Sequence, residues 1–180
     1  MDEMVKVLNE QGKEMGSIVE KLKAHKEGIC HGVVGIAIIN SNGKVIIQKR
    51  AITKRDEPEK WDLSASGHIS SDEAIIDAAI RETYEEIGIK IVADDLTYID
   101  TFLFKAEGFN KKISHYTYVF IVKKDIDESE LVLQESEVDE VKFVDKKELL
   151  DRKLCLWWIY EWRLIIKIER CDIEWIASFI

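Results

Sequence analysis

Runs of apolar and polar positions along this 180-residue chain predict both strands and helices. The clearest run lies at residues 32–50, where the apolar stretch GVVGIAII is followed by NSNG and then by KVIIQKR. A near-continuous apolar run is typical of a strand buried on both faces, and Asn42-Gly43 suits the tight turn of a hairpin. Residues 3–21 predict a shorter hairpin, with its turn at Gln11-Gly12.

Residues 67–89, GHISSDEAIIDAAIRETYEEIGI, predict a helix. Ser70 with Glu73 three residues later matches a capping box at a helix N-terminus. Gly88 stands where the end of a helix favours a left-handed residue. Four residues at helical spacing are expected to form the buried face of this helix: Ile76, Ile80, Thr83 and Ile87.

Further strands are predicted around LTYIDTFLFKA and SHYTYVFIVKK, and EVDEVKFVDKKELL predicts a short strand that continues into a helix. Residues 154–170 predict an amphipathic helix. The chain therefore predicts a mixed α/β sandwich with several strands around one central helix. We expect a single domain over residues 1–180, with a hairpin extension at 1–30, a core at 31–150 and a helical extension at 151–180.

Composition narrows the class of protein. Hydrophobic residues make up 46% and charged residues 34%, as in a globular protein, and the net charge of −9 argues against a partner that is a nucleic acid polymer. The three cysteines, Cys30, Cys155 and Cys171, show no CxxC spacing and favour a reducing cytoplasm. No apolar run is long enough to cross a membrane, and residues 1–16 lack the apolar segment of a signal peptide.

The predicted helix carries an acidic cluster that has two interpretations. Glu82, Glu85 and Glu86 stand at i, i+3 and i+4, so their carboxylates share one surface, and hard divalent cations such as Mg²⁺ prefer such oxygen ligands. Gly67 would let a backbone carbonyl approach the same ion, and Arg81 can hold Glu73 or Asp77 in place. The alternative is an ordinary solvated acidic face.

The spacing of these residues decides between the two interpretations. Gly67, Glu73, Arg81-Glu82, Glu85-Glu86, Gly88 and Ile89 occur at the offsets of the Nudix box, and the chain resembles the Nudix hydrolase superfamily over roughly residues 30–150. The position after Arg81-Glu82 is usually aliphatic in that family and is Thr83 here. The resemblance implies a Nudix-like α/β/α sandwich (α+β) with a mixed sheet and one catalytic helix.

Two other segments resemble the isopentenyl-diphosphate isomerase branch of this superfamily, KRAITKRDEPEKWDLSASGHI and AHKEGICHGVV. In that branch a catalytic cysteine precedes the Gly-His pair, where this chain has Ser66 before Gly67 and His68. The branch also uses a metal site of three histidines and two downstream glutamates. His25, His31 and His68 correspond roughly to the histidines, whereas Ile113 and His115 fall where the glutamates are expected. The resemblance therefore implies a diphosphate hydrolase, with a second metal site at the three histidines left open.

The resemblance also implies a mechanism with Mg²⁺ or Mn²⁺ as the cofactor. Gly67, Glu82, Glu85 and Glu86 are the expected metal ligands, and Glu85, Glu86, Arg81 and Glu137 are the expected catalytic residues. The substrate would be a small metabolite with a diphosphate linkage, such as a nucleoside diphosphate linked to a group X. An isomerase-like enzyme and a non-catalytic Nudix-fold binding module are the alternatives, and an intact acidic cluster disfavours the binding module.

Several basic and aromatic residues have both a functional and an ordinary interpretation. The loop residues Lys49, Arg50, Lys54 and Arg55 could bind phosphate or simply be solvated. Trp61 could stack on the substrate or belong to the core. Four tryptophans favour a cap on the fold or a homodimer contact: Trp157, Trp158, Trp162 and Trp175.

Overall fold

The computed structural model describes residues 3–55, 57–108, 111–145 and 148. Strand β3 (His31–Ile39) is central and lies parallel to β8 (Lys111–Lys123), while the other strand pairs are antiparallel. The remaining strands of the main sheet are β4 (Val45–Arg50), β5 (Trp61–Asp62), β6 (Ala65–His68), β7 (Leu96–Gly108) and β9 (Val138–Val144). The sheet has the strand order β5-β4-β3-β8-β7, with β6 paired to β3 and β9 paired to β4.

Every residue of β3 is buried, as its apolar run predicts. One face of the sheet packs against helix α2 (Ile75–Ile87), where Ile36, Ile38 and Ile46 meet Ala78 and Ala79. The opposite face holds a second cluster. It includes Ala37, Ile47, Val119 and Ile121. A mixed sheet with two described helices gives an α+β fold, so the predicted fold class is confirmed.

Helix α2 differs from its prediction at the N-terminus. It begins at Ile75, its N-cap is Ala74, and no side chain caps it, so the predicted start at Ser70 is wrong. The Glu73 carboxylate does accept the Ser70 N–H at 2.7 Å, but it does so within the turn before the helix. This turn is bound from outside the helix, because the Ser71 N–H donates to the Met4 carbonyl of the N-terminal segment at 2.8 Å and the Glu73 carboxylate accepts from Arg81.

The buried face of α2 largely follows the predicted spacing. Thr83 and Ile87 are fully buried, whereas Ile76 and Ile80 are only partly buried at the edge of the core. The Thr83 hydroxyl donates to the Ala79 carbonyl at 2.7 Å. Thr83 stands where the Nudix pattern usually has an aliphatic residue, and its buried hydroxyl therefore finds its hydrogen-bond partner within the helix itself.

The C-terminus of α2 is joined to the loop that precedes β9. Gly88 caps the helix with φ at 76° and donates its N–H to the Tyr84 carbonyl. The carbonyls of Glu86 and Ile87 accept the N–H groups of Gln134 and Val132. These bonds satisfy helix carbonyls that would otherwise lack partners, and they hold the 131–137 loop beside the acidic end of α2.

The N-terminal residues form the predicted hairpin, β1 (Met4–Leu8) with β2 (Glu14–Glu20), followed by a helix that the sequence did not predict, α1 (Lys21–Glu27). Helix α1 packs against β8. The predicted helix at 154–170 and the four C-terminal tryptophans lie outside the described residues. In the part of the chain that the structure describes, no helix is long and apolar enough to cross a membrane.

The left-handed cap at Gly88 gives a test of the fold. Gly43, in the β3–β4 turn, has a similar φ of 73° with open space around it, while a Cβ at Gly88 would lie 2.7 Å from the Val132 Cβ. We expect Gly43→Ala to lower the free energy of unfolding by roughly 1 kcal/mol through backbone strain alone. Gly88→Ala should lower it further, because Val132 must also move. Urea denaturation of both variants measures the difference, and equal losses would contradict the packing of the 131–137 loop on α2.

Candidate active site

Glu82, Glu85 and Glu86 project from α2 into one cavity of about 700 Å³. The helical spacing places the three side chains on the same surface of α2, as the sequence predicts. They differ in environment, because the Glu85 side chain is 49% exposed whereas Glu86 is only 5% exposed. The cavity therefore presents carboxylates at different depths, with Glu85 nearest the solvent and Glu86 the most deeply buried.

Glu86 is the most deeply buried of these acids. Its Oε2 accepts the Gln48 amide at 2.8 Å and the Ser66 backbone N–H at 2.9 Å. Burial, and then the nearby Glu82 carboxylate, raise the pKa of Glu86 to about 8. Strands β4 and β6 thus hold in place an acid that resists ionisation unless a positive charge is close to it.

Glu82 lies directly against Gly67. A Cβ at Gly67 would overlap the Glu82 carboxylate, so only glycine allows this approach of β6 to α2. Burial raises the pKa of Glu82 to about 7, although Arg81 opposes the shift. The backbone of β6 and a buried carboxylate are therefore in close contact, which is the arrangement that the sequence predicts for a shared cation.

Arg81 connects the acidic residues to one another. Its guanidinium donates to both oxygens of Glu73, at 2.6 and 3.0 Å, to Glu82 at 2.8 Å and to Glu85 at 2.9 Å. It also donates to the His68 carbonyl at 3.0 Å. Of the two carboxylates that the sequence offered, Arg81 therefore holds Glu73 and not Asp77. Partial burial raises the pKa of Glu73, but the hydrogen bonds from Arg81 outweigh this effect and keep the pKa below its ordinary value.

Basic side chains line another part of the cavity. Arg50, Lys54 and Arg55 are present there, whereas Lys49 pairs with Glu59 instead. Lys54 forms an ion pair with Glu137, which also lines the cavity. Burial lowers the pKa of Lys54, and the neighbouring Arg50 lowers it further. The end of β4 and the loop before β5 thus supply cations to the cavity that holds the acids, and the loop before β9 supplies Glu137.

The three histidines considered in the sequence come together beside the same cavity, and His115 joins them. His25 lies on α1, His31 begins β3, His68 ends β6 and His115 lies on β8. Burial lowers the pKa of His31, and lowers those of His68 and His115 well below the ordinary value, so these imidazoles are neutral at pH 7. Sequence reasoning treated His115 only as a missing glutamate. The one available signal was that it completes the chain's total of four histidines.

The sequence also missed residues that complete the cavity wall. Glu3, Lys21 and Leu22 from the N-terminal segment line it, as do Phe102 and Phe104 from β7. Trp61 is partly buried against the second core cluster, with the Lys142 ammonium 4.7 Å from its ring centre. This position favours the core interpretation of Trp61.

The acidic group suits a hard divalent cation on the chemistry of its donors. Glu82 and Glu86 are buried carboxylates whose pKa values rise in the absence of a cation, and the Gly67 backbone lies against one of them. Beside Glu86, the buried Gln48 Oε1 has no hydrogen-bond partner among the described residues. Oxygen donors of this kind and number match the preference of Mg²⁺ or Mn²⁺.

Comparison with known proteins places this site in a family. A family model for the NUDIX domain matches residues 31–162. An uncharacterized Nudix hydrolase of Listeria monocytogenes is 36% identical over 143 residues, which is 79% of this chain and 80% of that protein. An isopentenyl-diphosphate Delta-isomerase of Jannaschia is 34% identical over 134 residues, 74% of each chain.

Solved structures of similar fold include other members of this family. The crystal structure of DR0079 from Deinococcus radiodurans has a TM-score of 0.66 and 21% identity, and the match covers 94% of this chain and 99% of that one. Nudix hydrolases generally use divalent metal ions and act on small molecules. With the family model and the Listeria relative both covering most of its length, the chain belongs to the Nudix hydrolase family and is an enzyme that hydrolyses phosphorus-containing anhydrides.

Proposed function

We propose that this enzyme cleaves the diphosphate linkage of a small metabolite, such as a nucleoside diphosphate linked to X, with Mg²⁺ or Mn²⁺ as its cofactor. The observation that carries the proposal is the single cavity in which Glu82, Glu85 and Glu86 face the basic residues Arg50 and Lys54. Acids that bind a cation and bases that bind phosphate are both needed to hold a diphosphate.

The acidic side of the cavity would hold the cation through Glu82, Glu85, Glu86 and the Gly67 carbonyl. A bound Mg²⁺ or Mn²⁺ would offset the charge of the diphosphate and lower the pKa of a coordinated water. Arg81 fixes the directions of Glu82 and Glu85 before any ligand arrives, because it already donates to both carboxylates. This order in the free enzyme reduces the reorganisation that binding requires.

The basic side would bind the phosphate oxygens. Lys54 is paired with Glu137, so a phosphate that takes Lys54 as its partner releases the Glu137 carboxylate into the cavity. Glu137 is then placed to accept a proton from the attacking water, which is its proposed role. Phe102, Phe104 and Leu22 line the same cavity, so the group X is expected to present an apolar or aromatic surface.

The net charge of −9 supports a small substrate rather than a nucleic acid polymer. Cysteines without disulfide spacing, of which Cys30 is buried and free, support a cytoplasmic location. The homodimer suggested by the C-terminal tryptophans remains a prediction, since those residues lie outside the described part of the chain.

The proposal is tested by phosphate release from a panel of X-linked diphosphates with Mg²⁺ and with Mn²⁺. We expect turnover of at least one compound, and Glu85→Gln should lower kcat/KM by roughly 100-fold or more, because it removes one charge from the cation's ligands. Asp77→Asn is the matched control, since Asp77 is an exposed acid on the same helix that does not line the cavity. Equal activity in the Glu85 variant and the control would contradict the acidic site.

Stability of the metal-free enzyme gives an independent test of the buried acids. The pKa of Glu86 is about 8 in the folded protein against an ordinary 4.5, so the folded state binds more protons than the unfolded state between these values. The free energy of unfolding should therefore fall as pH rises from about 5 to about 8 in the presence of a chelator. Glu86→Gln should make this fall shallower, because the amide does not titrate, and its oxygen can still accept from Gln48 and Ser66 so that the fold is kept. Urea unfolding at several pH values measures how steeply the free energy of unfolding depends on pH. The same dependence in the variant and the unmodified enzyme would contradict the raised pKa of the buried Glu86.

Isomerase activity is the second candidate, because the Jannaschia relative is named as an isomerase. Ser66 lines the cavity, and its hydroxyl is 3.4 Å from Asp62. A serine hydroxyl has too high a pKa to replace a thiol as the acid or base that acts on a carbon–carbon double bond. His115 also stands where the resemblance expects a glutamate.

We therefore expect no conversion of isopentenyl diphosphate to dimethylallyl diphosphate. Ser66→Cys alone should not create the activity, because the carboxylate partner is still absent. Product analysis after phosphatase treatment measures both proteins. Dimethylallyl product from the unmodified enzyme at a rate comparable to its hydrolysis would favour the isomerase instead.

A further inference from the structure

All four histidines of the chain meet at one point. One ring nitrogen from each of His25, His31, His68 and His115 lies within 4.8 Å of the other three. The ring centroids are 4.7 to 5.3 Å apart in all six pairs. Histidines from four separate elements, α1, β3, β6 and β8, have no reason to converge this closely for packing alone, because their polar nitrogens then face one another.

The distances within this histidine cluster fit a small tetrahedral ion. The Nε2 atoms of His25 and His68 are 3.0 Å apart, and those of His25 and His115 are 3.3 Å apart. Zinc–nitrogen bonds of about 2.0–2.1 Å in a tetrahedron separate the ligand nitrogens by roughly 3.3 Å. The two pairs that involve the His25 Nε2 atom thus already have this spacing, and the remaining ligand nitrogens lie within 4.8 Å of one another, so small side-chain shifts would place all four around one ion.

His31 supplies the observation that points to a ligand most directly. Its Nδ1 lies 2.8 Å from the Ile29 carbonyl, and because a carbonyl oxygen only accepts, Nδ1 carries the proton. The Nε2 atom therefore presents a lone pair. It is fully buried and has no hydrogen-bond partner among the described residues. A histidine held by a carbonyl at one nitrogen, with the other directed inward, has the geometry of a metal ligand.

The donors in this cluster differ in kind from those of the acidic site. Four imidazoles offer nitrogen donors and no carboxylate oxygen, which suits the later first-row transition metals rather than Mg²⁺ or Mn²⁺. The resemblance to isomerases implies a mixed site with two glutamates, whereas Ile113 and His115 occupy those positions here. This chain therefore has a nitrogen-only set, with His115 as a ligand in place of a carboxylate.

We propose that His25, His31, His68 and His115 bind one late first-row transition-metal ion, of the Zn²⁺ class, in a site separate from the carboxylates of α2. Four nitrogen ligands fill a tetrahedral ion and leave no position for substrate, which is the pattern of a structural site. The ion ties α1 to strands β3, β6 and β8. The proposal stands independently of the hydrolase activity, because neither the ligands nor the geometry involve the acids.

The location of the site gives it a consequence for the cavity. Lys21 and Leu22 of α1 line the cavity that also holds the acidic residues. Arg81 donates to the carbonyl of His68, so the histidine cluster and the acidic cluster share a hydrogen-bonded residue. An ion bound by the histidines would therefore hold α1, with Lys21 and Leu22, in place at the cavity. It would also fix the end of β6, where the His68 carbonyl accepts from Arg81.

Cobalt substitution tests the proposal with a readout that does not depend on activity. Full-length, tag-free protein is stripped with a chelator and titrated with Co²⁺ in the presence of millimolar Mg²⁺. We expect one Co²⁺ per chain, the intense visible absorption of a tetrahedral ion, and a higher melting temperature. Zn²⁺ should displace the colour at one equivalent.

Variants then assign the ligands. His25→Ala should weaken Co²⁺ binding by more than tenfold and abolish the tetrahedral spectrum. This variant is preferred because His25 lies on α1 and is only partly buried, so the core should still fold, which circular dichroism checks. His115→Asn is the second variant, and Glu85→Gln is the control that should retain the spectrum.

Three outcomes would overturn the proposal. The first is the weak spectrum of a six-coordinate ion in the unmodified protein. The second is a tetrahedral spectrum that survives both histidine substitutions. The third is loss of the spectrum in Glu85→Gln, which would place the Co²⁺ at the acids.

Discussion

The contacts of Arg81 are the interaction on which the active site depends. Glu82, Glu85 and Glu86 line one cavity and Glu73 lies beside Arg81, and like charges repel most strongly where burial limits the water that screens them. One guanidinium with five N–H donors satisfies three of these carboxylates and a backbone carbonyl at once. Lysine could not replace it, since a single ammonium group cannot reach all of these acceptors in fixed directions.

Glu86 is the acid that Arg81 does not bind in this structure. Its partners are the Gln48 amide and the Ser66 N–H, and neither carries a charge. Burial, and then the nearby Glu82 carboxylate, raise its pKa to about 8, and these two neutral donors only partly oppose the shift. Within one helical turn, the Glu82 and Glu85 carboxylates are thus stabilised by the Arg81 guanidinium. The Glu86 carboxylate would be stabilised in its ionised form only by a bound cation.

The central strand β3 connects this acidic site to the histidine cluster. Its register pairs His31 with His115 on the parallel strand β8, and Val33 with His68 on β6. Because β6 continues from Gly67 to His68, one strand supplies the glycine that contacts Glu82 and a histidine of the cluster. Two chemically different clusters, one of carboxylates and one of imidazoles, therefore lie along a single cavity.

Much of the fold and the acidic site could be predicted from the sequence because the relevant signals are local. The 3.6-residue period of a helix puts Glu82, Glu85 and Glu86 on one surface wherever that helix packs, and the apolar run of β3 indicates burial in any sheet. The start of α2 could not be read in this way. Ser70 and Glu73 satisfy a local capping pattern, but the turn that contains them pairs with the distant strand β1 through the Ser71 N–H and the Met4 carbonyl, and the helix begins only at Ile75.

The tertiary structure alone decided which distant residues meet. His25, His31, His68 and His115 show no common spacing, and their convergence follows from strand register and from the packing of α1 on β8, which no local period encodes. The same holds for the Lys54–Glu137 pair and for the bonds from the 131–137 loop to the end of α2. The sequence by itself determined the family, the helix that carries the acids and the order of those acids, because these depend on neighbours along the chain. The histidine cluster and the basic wall of the cavity depend on neighbours in space.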